Sequence, residues 1–346
     1  MSLIILSLLL AYGLNRYVEE PIRRIEVKAR MKAVGLMIIG SVAVVGTTIG
    51  MMHVTAVEDH GLGRLVNYGL HYECDFTRTF KPTPQCQRGN TPEFLVWGDS
   101  HAMHLVQGMT DGGEKSPAAL VQATKLSCSP LFGMAPVFVG GKGAYDWARD
   151  CMTFNASVLN YLRQADTPMT VVLSSRFNHL LRRFDDGTPV NVVEGMLVED
   201  ADGNRHLAPA DTATSIVGLK KTIEAIRAMG KRVVFVAPPP ASGFDIGRCT
   251  ERLVEGLPVI GGARDCNITV RAYHATRRDV LDLLAAIEAD SGIEVIRFDR
   301  YLCNGDSCKS RVGGIPIYGA GDHLSQTGSA HLGKAISLLE RIRGKS

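Results

Sequence analysis

Eight cysteines, Cys74, Cys86, Cys128, Cys151, Cys249, Cys266, Cys303 and Cys308, set the tightest limit on what this chain of 346 residues can fold into. Their number is even, all lie beyond residue 70 and they fall into close neighbours, the signature of a disulfide framework. Free buried thiols or a metal site are the alternative. Cys303 and Cys308 have no second CxxC-type pair and no histidine cluster near them, so zinc is not expected. Of the ~105 ways to pair eight cysteines, neighbour pairing selects Cys74 with Cys86, Cys128 with Cys151, Cys249 with Cys266 and Cys303 with Cys308. Disulfides persist in oxidising compartments, so this part of the chain is expected outside the cytoplasm.

Two uncharged segments precede the cysteines. Ala33 to Met52 runs for 20 residues with no charge and no polar face. At about 1.5 Å per residue it spans the roughly 30 Å hydrocarbon core of a bilayer. Ser2 to Leu14 is uncharged too, but its 13 residues are short for a full span. It lacks the basic n-region and the cleavage site of a signal peptide and reads as the end of a spanning helix. Between the two segments, from Arg16 to Lys32, six basic residues face three acidic ones, and that excess is the whole net charge of +3. The positive-inside rule places this loop in the cytoplasm and everything after Met52 on the outer side. The neutral remainder lacks the basic face that a nucleic-acid binder needs.

The expected organisation is a helix end at 1–15, a cytoplasmic basic loop at 16–32, a transmembrane helix at 33–53, a turn-rich extracytoplasmic linker at 54–90 and a folded domain at 91–346. Within the domain, short β-branched or aromatic runs at Phe94 to Trp97, Ala119 to Gln122, Thr170 to Ser174, Arg232 to Ala237 and Glu294 to Asp299 alternate with helical segments. About five strands alternating with helices imply a parallel sheet covered on both faces. Ile216, Leu219, Ile223 and Ile226 form one apolar helical stripe ending at Gly230; a last helix over about Ser325 to Arg343 carries Leu332, Ile336 and Leu339. A hairpin turning at Asp202-Gly203 is expected between Val190 and Leu207.

Two segments carry chemistry. An apolar strand runs from Phe94 into Gly98-Asp99-Ser100 and then a helix, so Ser100 sits on a strand-to-helix turn, where backbone N–H groups and the helix dipole favour a developing oxyanion. Asp99 or Ser100 could equally serve only as the helix cap. The second is Tyr318-Gly-Ala-Gly-Asp-His-Leu-Ser325, a glycine-rich loop that delivers His323, the base a serine needs to become a nucleophile. A lone histidine before a helix is more often a surface or capping residue. His101 and His104, spaced i, i+3, could share a metal, but no third ligand is evident and no metal is expected.

The pair of motifs, Gly98-Asp99-Ser100-His101 and His323-Leu324-Ser325-Gln326-Thr327-Gly328, resembles the SGNH hydrolase and acyltransferase family, in the form fused to membrane acyltransferases of the acyltransferase-3 family. The resemblance covers roughly Cys74 to Gly333 and includes Cys128-Ser129-Pro130-Leu131 and the Leu302-Cys303 to Cys308 segment; Tyr17 to Arg24 looks like the end of the last helix of the membrane domain, as though the chain were N-terminally truncated. It implies a flavodoxin-like three-layer α/β/α domain in the periplasm, preceded by one or two transmembrane helices of the bacterial inner membrane. The implied activity is O-acyl transfer, chiefly of acetyl, to a cell-envelope polysaccharide such as lipopolysaccharide. No cofactor is bound, and acyl-CoA is the ultimate donor through the membrane acyltransferase-3 domain. Ser100 would be the nucleophile and His323 the base, with Ser100, Gly133 and Asn178 as oxyanion candidates. The family's acid three residues before the histidine is here Ala320, so Asp322 is the candidate third member; a Ser100–His323 dyad, recruitment of Asp299 or another acid, or an impaired site are the alternatives. A carbohydrate esterase using the same residues, or a non-catalytic glycan-binding module, are the rival functions.

Overall fold

In the computed structural model, residues 12–13, 15–20, 40–41, 46 and 66–344 are described, except 112–116, 141–142, 182–191 and 260–262. The chain divides into two units, residues 1–60 and 61–346. In the first, Asn15–Glu19 forms a π-helical turn and Arg16 pairs with Glu20. Among the described residues no helix is long and apolar enough to cross a membrane; the spans expected over 1–15 and 33–53 lie almost wholly outside them.

The second unit is built on five parallel strands, β1 (Phe94–Gly98), β2 (Leu120–Thr124), β3 (Thr170–Ser174), β4 (Arg232–Val236) and β5 (Val295–Ile296), in the order β2-β1-β3-β4-β5. The two residues Gln87–Arg88 add an antiparallel edge beside β2. Each strand coincides with a β-branched or aromatic run in the sequence. Every residue of β1, β2 and β3 is buried, as strands covered on both faces require.

Alternation along the strands feeds two cores. Leu95, Trp97, Val171, Leu173 and Phe235 face one side, packed with helices α3 (Ala144–Leu162), α4 (Thr212–Arg227) and α6 (Val270–Ser291). Phe94, Val96, Val172, Val234 and Val236 face the other, with α2 (Val106–Thr110), α5 (Ile246–Val254), α7 (Gln326–Ala335) and α8 (Leu338–Arg343). The unit is a three-layer α/β/α sandwich.

Several expectations change in detail. The expected hairpin pairs Val193–Glu199 with Arg205–Ala208, and Met134–Phe138 joins it as a third strand. The single last helix is two, because Ser337 adopts a left-handed conformation (φ +53°), and Arg341 Nε donates to the Ile336 carbonyl at 2.7 Å. The described part of the expected linker, residues 66–90, is bonded into the domain: Gln122 donates to the Tyr68 carbonyl at 2.7 Å, and Thr124 donates to that of Cys74 at 2.6 Å. All four disulfides form between the neighbours that spacing selected.

The parallel register levels the carboxyl ends of the strands: Thr124, Gly98, Ser174 and Val236 are successive partners across the sheet, so the segments that follow them open on one edge. At Gly98 the backbones of β1 and β3 come so close that a Cβ would lie 1.7 Å from the Ser174 carbonyl oxygen, and φ is +155°. Gly98→Ala is therefore expected to destabilise the domain by on the order of 3 kcal/mol or more. Urea denaturation measures this, and an unchanged midpoint would contradict the placement.

Candidate active site

The order β2-β1-β3 reverses direction beside β1, and ligands of doubly wound sheets bind in the crevice at such a point. Asp99 and Ser100 follow β1 there, and Ser175 and Arg176 follow β3. Asp99 caps helix α1 (Ser100–Met103) by accepting from the His101 amide at 2.8 Å. Its other oxygen accepts from Ser175 Oγ at 2.6 Å and from the Arg176 amide at 3.0 Å. One buried carboxylate thus ties the two sides of the crevice together. Ser100 begins α1, and its amide has no acceptor among the described residues.

His323 arrives on a two-stranded hairpin, Tyr318–Ala320 with His323–Leu324. Gly321 makes the turn with φ +56° and donates its amide to Asp245 at 2.9 Å; Tyr318 Oη donates to the Pro240 carbonyl at 2.9 Å. The Leu324 amide donates to His104 Nδ1 at 3.3 Å, and Ser325 caps α7 through the Gly328 amide at 2.9 Å. Helix α7 then crosses α2, where the Gly108 amide donates to Ser329 Oγ at 3.0 Å and a Cβ at Gly333 would lie 2.4 Å from the Gly108 carbonyl oxygen. The helix that follows the serine and the helix that follows the histidine are therefore clamped together at near backbone contact.

The outcome is a Ser100 Oγ to His323 Nε2 distance of 2.7 Å across 223 positions of sequence. On the far side of the ring, Nδ1 lies 3.1 Å from Asp322 Oδ1, so the neighbouring carboxylate does reach the imidazole. Asp322 Oδ2 accepts from Arg176 Nε at 3.0 Å and from Arg277 Nη2. Burial would raise the Asp322 pKa, but Arg277 and Arg176 outweigh it and hold the carboxyl well below the usual range. Asp299 is engaged elsewhere, accepting from Tyr273 Oη at 3.1 Å.

The two other oxyanion candidates sit differently from expectation. Gly133, with φ +73°, turns the chain into the strand at Met134; its carbonyl accepts from the Glu199 amide, and a Cβ there would first meet Lys221 Nζ. Its neighbours are not those of Ser100. Asn178 is buried, Oδ1 accepts from Arg277, and Nδ2 donates to the Thr276 carbonyl at 3.3 Å. Its amide serves helix α6.

His101 is fully buried, with Nδ1 3.7 Å from Asp99 and Nε2 3.6 Å from Asp322, and its ring lies against those of His104 and His323. Among the described residues, His101, Asp322 and His323 form a group with the spacing of a metal site. Two guanidinium groups on the Asp322 carboxylate oppose a cation there. Arg176 and Arg277 went unnoticed in the sequence. Arg176 could have been found from its place just beyond β3, whereas Arg277, one of three arginines in helix α6, carried no signal of its own.

The chain belongs to the family of SGNH domains fused to AT3 domains, whose match covers residues 73–337. No curated protein matches it. Among solved structures, the periplasmic domain of a lipopolysaccharide acetyltransferase from Salmonella ser. Paratyphi A is 21% identical, covering 73% of this chain and 85% of that one at a TM-score of 0.47. The carbohydrate acetylesterase Est24 from Sinorhizobium meliloti is 14% identical, covering 73% and 99% at a TM-score of 0.36.

Burial lowers the pKa of His101 and of His179 to about 4 and holds that of His104 well below the usual histidine value. In the unfolded chain these groups return to about 6.5 and bind protons that the folded chain refuses. Stability is therefore expected to fall as pH drops from about 6.5 towards 4, by about 1.4 kcal/mol per pH unit for each histidine. Below about 3.8 the unfolded chain also protonates Asp322, which the folded chain holds ionised, and this adds to the loss. Denaturation midpoints at neutral and mildly acidic pH test this, and His179→Gln should flatten the slope by about one proton.

Proposed function

We propose that this domain transfers an acyl group, chiefly acetyl, to a hydroxyl of a cell-envelope polysaccharide through an acyl-Ser100 intermediate. The observation that carries the reading is the 2.7 Å approach of Ser100 Oγ to His323 Nε2, with Asp322 behind the ring. His323 Nε2 takes the Ser100 proton as Oγ attacks the acyl carbonyl, and Asp322 holds the Nδ1–H tautomer and meets the imidazolium charge. The Ser100 amide is the donor available to the oxyanion. Collapse of the tetrahedral adduct expels the donor's leaving group, which takes the proton from Nε2. A sugar hydroxyl then loses its proton to the same nitrogen and attacks the acyl-enzyme, and Ser100 recovers its proton as the ester leaves on the glycan.

Family membership supports transfer, since these domains are described as fused to AT3 domains. In this reading the domain lies on the periplasmic side of the inner membrane, and its donor comes from acyl-CoA through a membrane acyltransferase-3 partner. The hydrolytic alternative keeps the same residues with water as acceptor. It is favoured by the His323 side chain being 34% exposed, which leaves the base open to solvent.

Aryl acetate turnover with and without added envelope oligosaccharide separates the two. Acceleration with acylated glycan as product is the expected result; indifference to the oligosaccharide would favour the esterase. Ser100→Ala should abolish turnover, and Asp322→Asn should lower kcat by about 10⁴-fold with little change in KM. A wild-type rate of glycan acylation by the Ser100→Ala protein would refute the proposal.

A further inference from the structure

Asp322 precedes the histidine it serves, and adjacent side chains tend to diverge, so its carboxylate needs something to aim it. The structure supplies that from behind. Arg277, in the middle of α6 and 1% exposed, bonds both Asn178 Oδ1 and Asp322 Oδ2 through separate guanidinium nitrogens. Arg176 Nε takes the same Asp322 oxygen at 3.0 Å. With Oδ2 held, Oδ1 is left 3.1 Å from His323 Nδ1. A planar fork fixed at two acceptors defines direction as well as distance.

We propose that Arg277 is the positioning residue that makes Asp322 usable as the orienting acid of His323. This rests on the assignment of Ser100, His323 and Asp322 made above. Stability alone gives no reason for the arrangement, because a buried ion pair can often be replaced by apolar side chains of similar volume at no cost. Asn178 belongs to the same device, anchoring one arm of the fork on the short 3₁₀ turn Asn178–Leu180 beyond β3.

The hairpin offers a way to separate aiming from folding. Ala320 stands directly opposite His323 across the two strands. Opposed residues of an antiparallel pair put their Cβ atoms about 4.5–5.5 Å apart on one face. An aspartate at 320 would thus present a carboxylate to the same imidazole without the help of Arg277.

The experiment compares the parent, Arg277→Met, Arg277→Lys, and Arg277→Met combined with Ala320→Asp, by aryl acetate kinetics and by nitrogen NMR of His323. Arg277→Met should lower kcat by about 10²-fold, the scale expected when a catalytic group is misplaced by ~1 Å. KM should stay within about twofold, and the resonance of the Nδ1–H tautomer should be lost. Arg277→Lys, which keeps the charge but not the fork, should recover less than a tenth of that loss. Ala320→Asp in the Arg277→Met background should restore both kcat and the tautomer without raising the melting temperature. Full activity with an unchanged tautomer in Arg277→Met would overturn the proposal. So would a kcat that follows the melting temperature across the series and ignores residue 320. If the parent turns over no ester, the tautomer signal alone decides. If esters turn over as expected while no glycan is acylated, the proposed function fails and the role of Arg277 stands.

Discussion

Two carboxylates, Asp99 and Asp322, are buried at the crevice between β1 and β3, and the geometry of the site follows from how their charges are met. Leaving such a group unpaired would cost several kcal/mol, so each dictates its surroundings. Asp99 draws the Arg176 amide and Ser175 Oγ across from β3 and fixes the start of the helix that carries Ser100. Asp322 draws two guanidinium groups, one from the loop beyond β3 and one from α6. The two acids and the two arginines balance, which leaves His101 and His104 buried between them as neutral rings with depressed pKa values. The serine and the histidine meet inside this frame.

Most of the sheet was legible in the sequence because its strands are buried on both faces and so read as short, unbroken β-branched runs. The strand Met134–Phe138 escaped notice because Pro136 argues against a ladder position. It lies at the edge of its sheet, where a missing N–H costs little. The break at Ser337 was hidden for the opposite reason: Leu332, Ile336 and Leu339 keep an apolar stripe across it, and all three are buried. The pairing of the cysteines needed no structure, because each bond closes a short loop.

Of the site, Ser100 and His323 were legible because a serine on a strand-to-helix turn and a histidine on a glycine-rich loop are local patterns. Their supports were not, because they are tertiary. Arg277 lies 45 positions before Asp322, and Arg176 lies 146 before it. Adjacent side chains tend to diverge, and here two arginines on Asp322 Oδ2 turn the carboxylate so that Oδ1 faces His323. Gly133 and Asn178 show the converse, since residue type and approximate position marked them for the oxyanion while their actual neighbours give them other work.

In the proposed function the acyl group passes through one covalent state, an ester on Ser100 Oγ. Acid quenching during aryl acetate turnover, followed by mass spectrometry of the peptide that carries Ser100, tests it most directly. An acetyl group on Ser100 that builds up within the first turnovers and is discharged faster when an acceptor glycan is added is the predicted result. Steady turnover with Ser100 unmodified at every time point, or an acetyl group on another residue, would contradict it.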